Sequence, residues 1–194
     1  MIKLRTPISE ADIRKLKVGD TVLLSGTVVT ARDEAHKLMV EQKPDFIRDI
    51  LKEAVIYHCG PVVKKNEQGK WEFVSAGPTT SSREEPYQAD VICEYNVRGV
   101  IGKGGMGAKT AEGLKKGGAV YFHAVGGAGT LIADCVKEVK TVFKLEEFGT
   151  PEAFWVIEVE DFPVVVTMDA NNGSLHEEVK QKSEKIAQEL MGLA

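Results

Sequence analysis

The chain is poor in cysteine. Cys59, Cys93 and Cys135 are widely spaced, odd in number and without a C-x-x-C element, which excludes a disulfide framework. Three thiols are enough for a metal cluster, but each lies in an apolar setting (IYHCG, DVICEY, IADCV), where a buried small hydrophobe is the stronger reading. No apolar run reaches the ~18–20 residues of a membrane span. The opening MIKLRTPISEADIRKL has neither a long apolar core nor a small-residue cleavage site, so no secretory leader is expected and the default setting is the cytosol. There is no basic stripe: 25 Lys and Arg stand against 29 Asp and Glu, for a net charge of -4, which argues against nucleic acid as a partner. It does not forbid anionic ligands, because local arginines act inside a negative protein. No linker, low-complexity tract or long repeat breaks the chain.

What is present suits one compact domain over residues 1–194, with 43% hydrophobic content to build a core. Ser9 precedes a short capped helix that includes Ile13. Thr21–Ala31 is β-branched and apolar, hence a strand, with Gly26 as a candidate bulge. A helix is expected from Arg32, and another from Pro44 to Leu51. Ala54–Tyr57 reads as a short buried strand, Lys64–Lys70 as a polar hairpin loop, and Trp71–Ala76 as the returning strand. Two consecutive strand–glycine loop–helix units follow. Val97–Ile101 leads through Gly102-Lys103-Gly104-Gly105 into a helix ending at Lys116. Ala119–Val125 leads through Gly126-Gly127-Ala128-Gly129 into a helix over Thr130–Val139. Trp155–Val159 and Val164–Met168 are predicted as two more strands. Asn172-Gly173 is a turn, and Ser174 caps a final solvent-facing helix. The fold class is α/β, a mixed sheet flanked by helices.

Three segments carry candidate chemistry. In Gly77-Pro78-Thr79-Thr80-Ser81-Ser82-Arg83, a turn follows a strand and four hydroxyls precede an arginine. Backbone N–H groups, hydroxyls and a guanidinium make an anion-binding corner; a Thr/Ser helix cap beside a surface arginine fits equally well. Gly102-Lys103-Gly104-Gly105 lets backbone approach a ligand closely, next to a cation and a helix start. It is neither a P-loop nor G-x-G-x-x-G, and a plain strand–helix turn is the competing reading. Ala31-Arg32-Asp33-Glu34 ends a strand, and a salt-bridged helix start is its bland reading. His58 and His123 fall in strand-like segments and read as core or rim residues; His176 reads as exposed. Ligands of open α/β sheets sit beyond the carboxyl ends of strands. Arg32, Thr79, Arg83 and Lys103 all follow directly on predicted strands. Three cations and an alcohol on one rim suit a ligand with two carboxylates.

GPTTSSR, VRGVIGKGGM, the GGAG unit, EEFGTPEAFWVIEVEDFPVVV and ARDEAHK together resemble the β subunit, or C-terminal domain, of class I fumarases and L-tartrate dehydratases. The resemblance runs in order from about Gly19 to Leu175. It implies a swivelling β/β/α fold and a hydro-lyase that reversibly hydrates fumarate to (S)-malate. It implies a [4Fe-4S] cluster held by a separate α subunit, with no metal ligand on this chain, and hence a hetero-oligomer active only with that partner. By motif position, Arg32, Arg83 and Lys103 match the family's binders of the C4 dicarboxylate, and Thr79 matches its base. Arg83-Glu84-Glu85 departs from the Arg-Met-Asp common in that family, and two acids beside the anion site could tune substrate choice. L-tartrate dehydratase is the alternative within the class. A dicarboxylate-sensing module without catalysis and a purely structural subunit are the alternatives outside it.

Overall fold

The computed structural model describes residues 1–192. Its elements follow in large part from local signals. Strand β1 (Ile2–Arg5) leads to helix α1 (Glu10–Ile13), whose first turn is closed by Ser9 Oγ accepting the Asp12 N–H at 3.1 Å. Strand β2 (Thr21–Thr30) is followed by α2 (Asp33–Gln42), α3 (Asp45–Leu51), with Pro44 at its N-cap, and β3 (Val55–Tyr57). The hairpin β4 (Val62–Lys65) and β5 (Trp71–Ser75) leads to a 3₁₀ turn at Ser81–Arg83 and helix α4 (Gln88–Tyr95). Then come β6 (Gly99–Gly102), α5 (Ala108–Gly117), β7 (Val120–His123), α6 (Gly129–Ala133), β8 (Val136–Phe143), α7 (Leu145–Phe148), β9 (Phe154–Met168) and α8 (Leu175–Leu190). Ser174 caps α8 by accepting the Glu177 N–H.

The strand pairings form a closed circuit. β2, β3, β6 and β7 run parallel to one another, and the antiparallel β9 pairs with β7 on one edge and with β2 on the other. β1 extends the free part of β2, and β8 extends β9. Closure leaves edges only on the two flanking strands, β1 and β8. The irregularity expected at Gly26 falls on its partner: from Leu24 to Gly26 β2 advances two residues while β9 advances three, from Phe162 to Val159, so the extra residue is on β9, with Gly26 opposite at φ +99°.

Period-2 alternation sorts the ring's side chains. Val28, Val55, Tyr57, Ile101, Val120, Phe122, Trp155 and Ile157 point into one core. Val29, Ile56 and Val156 point outward, to be covered by α2, α3 and α4, while Val100 and Tyr121 lie under α4 and α5. Because β2, β3, β6 and β7 are parallel, their carboxyl ends (Thr30, Tyr57, Gly102 and His123) share one rim.

Three expectations are corrected. The helix over Thr130–Val139 stops at Ala133, and Val136–Phe143 is strand. Register shifts at Val136/Glu138 and Val139/Thr141 space the inward valines 136, 139 and 142 by three, which imitates a helical period. The two strands expected at 155–159 and 164–168 are one continuous β9, bent at Asp161, whose φ is +50°. Cys93 is exposed on α4 rather than buried; Cys59 is buried as expected.

Candidate functional site

The segment after β5 is the keystone of the rim. Residues 78–81 lie between the extensions of β3 and β6: Pro78 bridges Cys59, and Thr80 bridges Lys103. The Thr79 N–H donates to the His58 carbonyl at 2.7 Å, and the Lys103 N–H donates to the Thr79 carbonyl at 3.2 Å. Thr79 is thus held by backbone from both sides, with its side chain half-buried. Lys103 Nζ donates to Thr80 Oγ1 at 2.6 Å, and its alkyl chain passes Gly126.

Arg32 is the N-cap of α2, directly beyond β2. Its guanidinium lies over Gly60, where a Cβ would sit 2.5 Å from Arg32 Nη1, so only glycine admits it. Arg32 Nε is 3.3 Å from Glu152 Oε1, and Glu152 comes from the loop before β9. Arg83 ends the 3₁₀ turn and pairs with Asp33, the residue after Arg32, while 55% of its side chain stays exposed. Arg32, Thr79, Arg83 and Lys103, predicted from four separate positions, therefore meet along one rim. The two arginines face carboxylates that leave them partly solvated, so an arriving anion can exchange for those partners.

Behind the rim runs a buried polar seam. His36 Nδ1 lies 2.9 Å from the Arg32 carbonyl, which can only accept, so Nδ1 carries the hydrogen. Burial holds His36 below its ordinary pKa, and burial with the neighbouring His36 holds His58 well below it, so both rings are neutral. His36 Nε2 is then a lone pair, and the Gln88 amide end facing it at 3.0 Å must be the NH2 group. The same group serves His58 Nε2 at 2.7 Å. His58 Nδ1–H donates to Ser81 Oγ at 2.8 Å, and Ser81 meets the Tyr121 hydroxyl at 2.8 Å. Gly102 has no room for a side chain here, since a Cβ would overlap Ser81 Oγ. The seam ties α2, β3, the 3₁₀ turn, α4 and β7 together directly beneath the cations.

A family model described as Fumarase C-terminus matches residues 1–179. The chain belongs to the fumarase C-terminal family. Its relatives include a protein of Geobacillus stearothermophilus provisionally named a class I fumarate hydratase, 50% identical over 97% of this chain and 36% of that protein. A Methanocaldococcus jannaschii protein provisionally named L(+)-tartrate dehydratase subunit beta is 41% identical, over 96% of each chain. The Escherichia coli (strain K12) L(+)-tartrate dehydratase subunit beta is 41% identical over 92% of this chain and 88% of its own length. The chain thus spans about a third of the Geobacillus relative and nearly all of the two beta subunits.

Within this family member the cysteines do not gather into a ligand set. Cys59 is buried, and burial pushes its thiol up to about 12; Cys93 is exposed on α4, and Cys135 lies between α6 and β8. Among the described residues, no group of three or more His, Cys, Asp or Glu is placed to hold a metal ion. His176 is not simply exposed, as expected: its Nε2 meets Thr167 Oγ1 at 2.9 Å, and its ring packs against Gly105 and near His123. Gln88 and Glu152 were not singled out from sequence; Glu84 was noted only as a departure beside the anion site, Asp33 only as part of a salt-bridged helix start, and His58 only as a core or rim residue. Gln88, Val91, Ile92 and Tyr95 do carry helical spacing before Asn96, a signal that would have revealed α4. The pairings of Asp33 and Glu152 have no such local signal.

Proposed function

We propose that this chain is the β part of a two-part hydro-lyase that reversibly hydrates fumarate to (S)-malate. The observation that carries the reading is the meeting of Arg32, Arg83, Lys103 and the Thr79 hydroxyl on one strand-end rim. Three cations from separate segments suit a doubly negative acid, and the higher identity to a relative named fumarate hydratase favours fumarate over tartrate. The fit along nearly the whole length of two relatives named subunit beta supports a separate α subunit as the partner in a hetero-oligomer.

In the dehydration direction, Arg83 and Arg32 exchange Asp33 and Glu152 for a substrate carboxylate, and a bidentate guanidinium fixes that carboxylate flat. Thr79 takes the proton from the adjacent carbon. A threonine is a weak base in water, so the surrounding cations must lower the cost of its alkoxide. As the C–H bond breaks, charge spreads into the bound carboxylate, where preorganised Arg32, Arg83 and Lys103 stabilise it. A [4Fe-4S] cluster carried by the α subunit would supply the Lewis acid that helps the hydroxyl leave.

The test is to co-purify the chain with its α subunit, reconstitute anaerobically, and assay fumarate, malate and tartrate. The reading expects turnover of fumarate and malate in the pair and none from this chain alone. Turnover of tartrate without fumarate would replace the substrate. Tight malate binding by the chain alone, with no activity in the pair, would make it a sensor.

A further inference from the structure

Glu84 follows Arg83 directly, yet the two side chains part: Arg83 goes to the surface and Glu84 is completely buried. Neither Glu84 carboxyl oxygen has a hydrogen-bond donor among the described residues. His58 Nδ1 is 3.9 Å away, and its hydrogen is already committed to Ser81. The neighbouring acid that bears on Glu84 is Asp33, which helps to raise its carboxyl. Asp33 Oδ2 accepts from Arg83, while Asp33 Oδ1 is buried and likewise without a donor. A buried carboxyl set against a second carboxyl resists ionisation beside it, and one proton between them gives one buried oxygen of each a partner.

We propose that Asp33 and Glu84 share one proton as an acid–carboxylate hydrogen bond, and that this proton sets how firmly Asp33 holds the Arg83 guanidinium. The coupling to substrate rests on the reading of Arg83 as a carboxylate binder; the shared proton does not. Glu84 is a positioning residue, since it acts only through Asp33. With the proton in place the pair carries one negative charge, enough to aim Arg83 and weak enough to release it to an incoming carboxylate. Without the proton, two charges draw Arg83 back and repel a dianion. Burial first, then a hydrogen bond with Asp33 and the Asp33 charge, push the Glu84 carboxyl up to about 8, against its own backbone N–H and the pull of Arg32. The other groups facing the pair are His58 just after β3, His36 on α2, Tyr121 on β7, and Arg83 through Asp33; His36 is neutral like His58. His58 is neutral, and Tyr121 is raised by burial, so neither supplies a charge near neutral pH.

Infrared spectra of the 194-residue chain across a pH series read the carbonyl stretch of a protonated carboxylic acid without partner or substrate. A band that persists through neutral pH, fades around pH 8 and is missing from Glu84→Gln is expected. Asp33→Asn should move its loss to lower pH and Arg83→Ala to higher pH, because one removes a neighbouring anion and the other a cation. Absence of the band at neutral pH overturns the shared proton; equal midpoints in wild type and Arg83→Ala overturn the coupling. In the reconstituted pair, KM for the dicarboxylate should climb through the same pH in wild type and stay level in Glu84→Gln. A KM profile in Glu84→Gln that follows wild type also overturns the coupling. If the wild-type pair turns over no dicarboxylate, the hydro-lyase reading fails while the infrared result stands by itself.

Discussion

Arg83 leaves 55% of its side chain in solvent, and Lys103 is held by one hydroxyl, whereas His36, His58, Gln88 and Ser81 behind them are fully buried and bonded to one another. The outer layer is built from charges with exchangeable partners and the inner layer from neutral groups with committed ones. The exposed Arg83–Asp33 pair can trade its protein carboxylate for a substrate carboxylate at small cost, because exposed ion pairs contribute only about 0–1 kcal/mol. A committed layer cannot rearrange without leaving a buried donor or acceptor bare, at about 1–3 kcal/mol each. Precision in the front layer is thus borrowed from rigidity in the back one.

That contrast can be broken in four ways. Thr79→Ala and Arg83→Ala should each lower kcat/KM of the reconstituted pair by at least ~10²-fold, the size of losing one well-placed catalytic group, with urea midpoints near wild type. A large loss of stability would put those residues in the wrong layer. Gln88→Leu strips both histidine Nε2 atoms of their donor and should cost about 1–3 kcal/mol, read from the urea midpoint at constant m; an unchanged midpoint would dissolve the seam as a structural unit. Third, pH should divide the layers. Glu84 is raised in the folded state, so its stabilising contribution is full below the unfolded carboxyl value and is lost as pH rises toward about 8. His36 and His58 are depressed, so theirs is present above the ordinary imidazole value and is lost as pH falls below it. Glu84→Gln should flatten the decline of stability between the ordinary carboxyl value and about pH 8, and leave the loss caused by the histidines at lower pH in place, as thermal melts at several pH values would reveal. The smallest effect belongs far from both layers: Lys43→Ala, which removes an exposed pair with Glu94, should stay within about 1 kcal/mol in the same urea assay.

Much of the front layer was legible in sequence because each of its residues follows a β-branched run and sits beside glycine, hydroxyl or helix-start signals. Capping at Ser9 and Ser174 and the irregularity at Gly26 were legible for the same reason: the cause lies within a few residues of the effect. The back layer was not. His36, His58 and Gln88 become partners only after α2, β3 and α4 pack, and nothing near any one of them in sequence names the other two. The strand at Val136–Phe143 was misread for a different reason, since two irregularities in pairing changed the spacing of its apolar side chains to one a helix would show.

The antiparallel strand Phe154–Met168 has one consequence for how the molecule comes into being. It is the last strand made, yet it joins a strand that begins at Thr21 to one that ends at His123. A nascent chain that has emerged only as far as Phe143 carries open strand edges at both places, and such edges pair readily with other chains. Closing the ring therefore waits on residues 154–168, and a chain cut before residue 154 is expected to keep open strand edges prone to pairing with other chains.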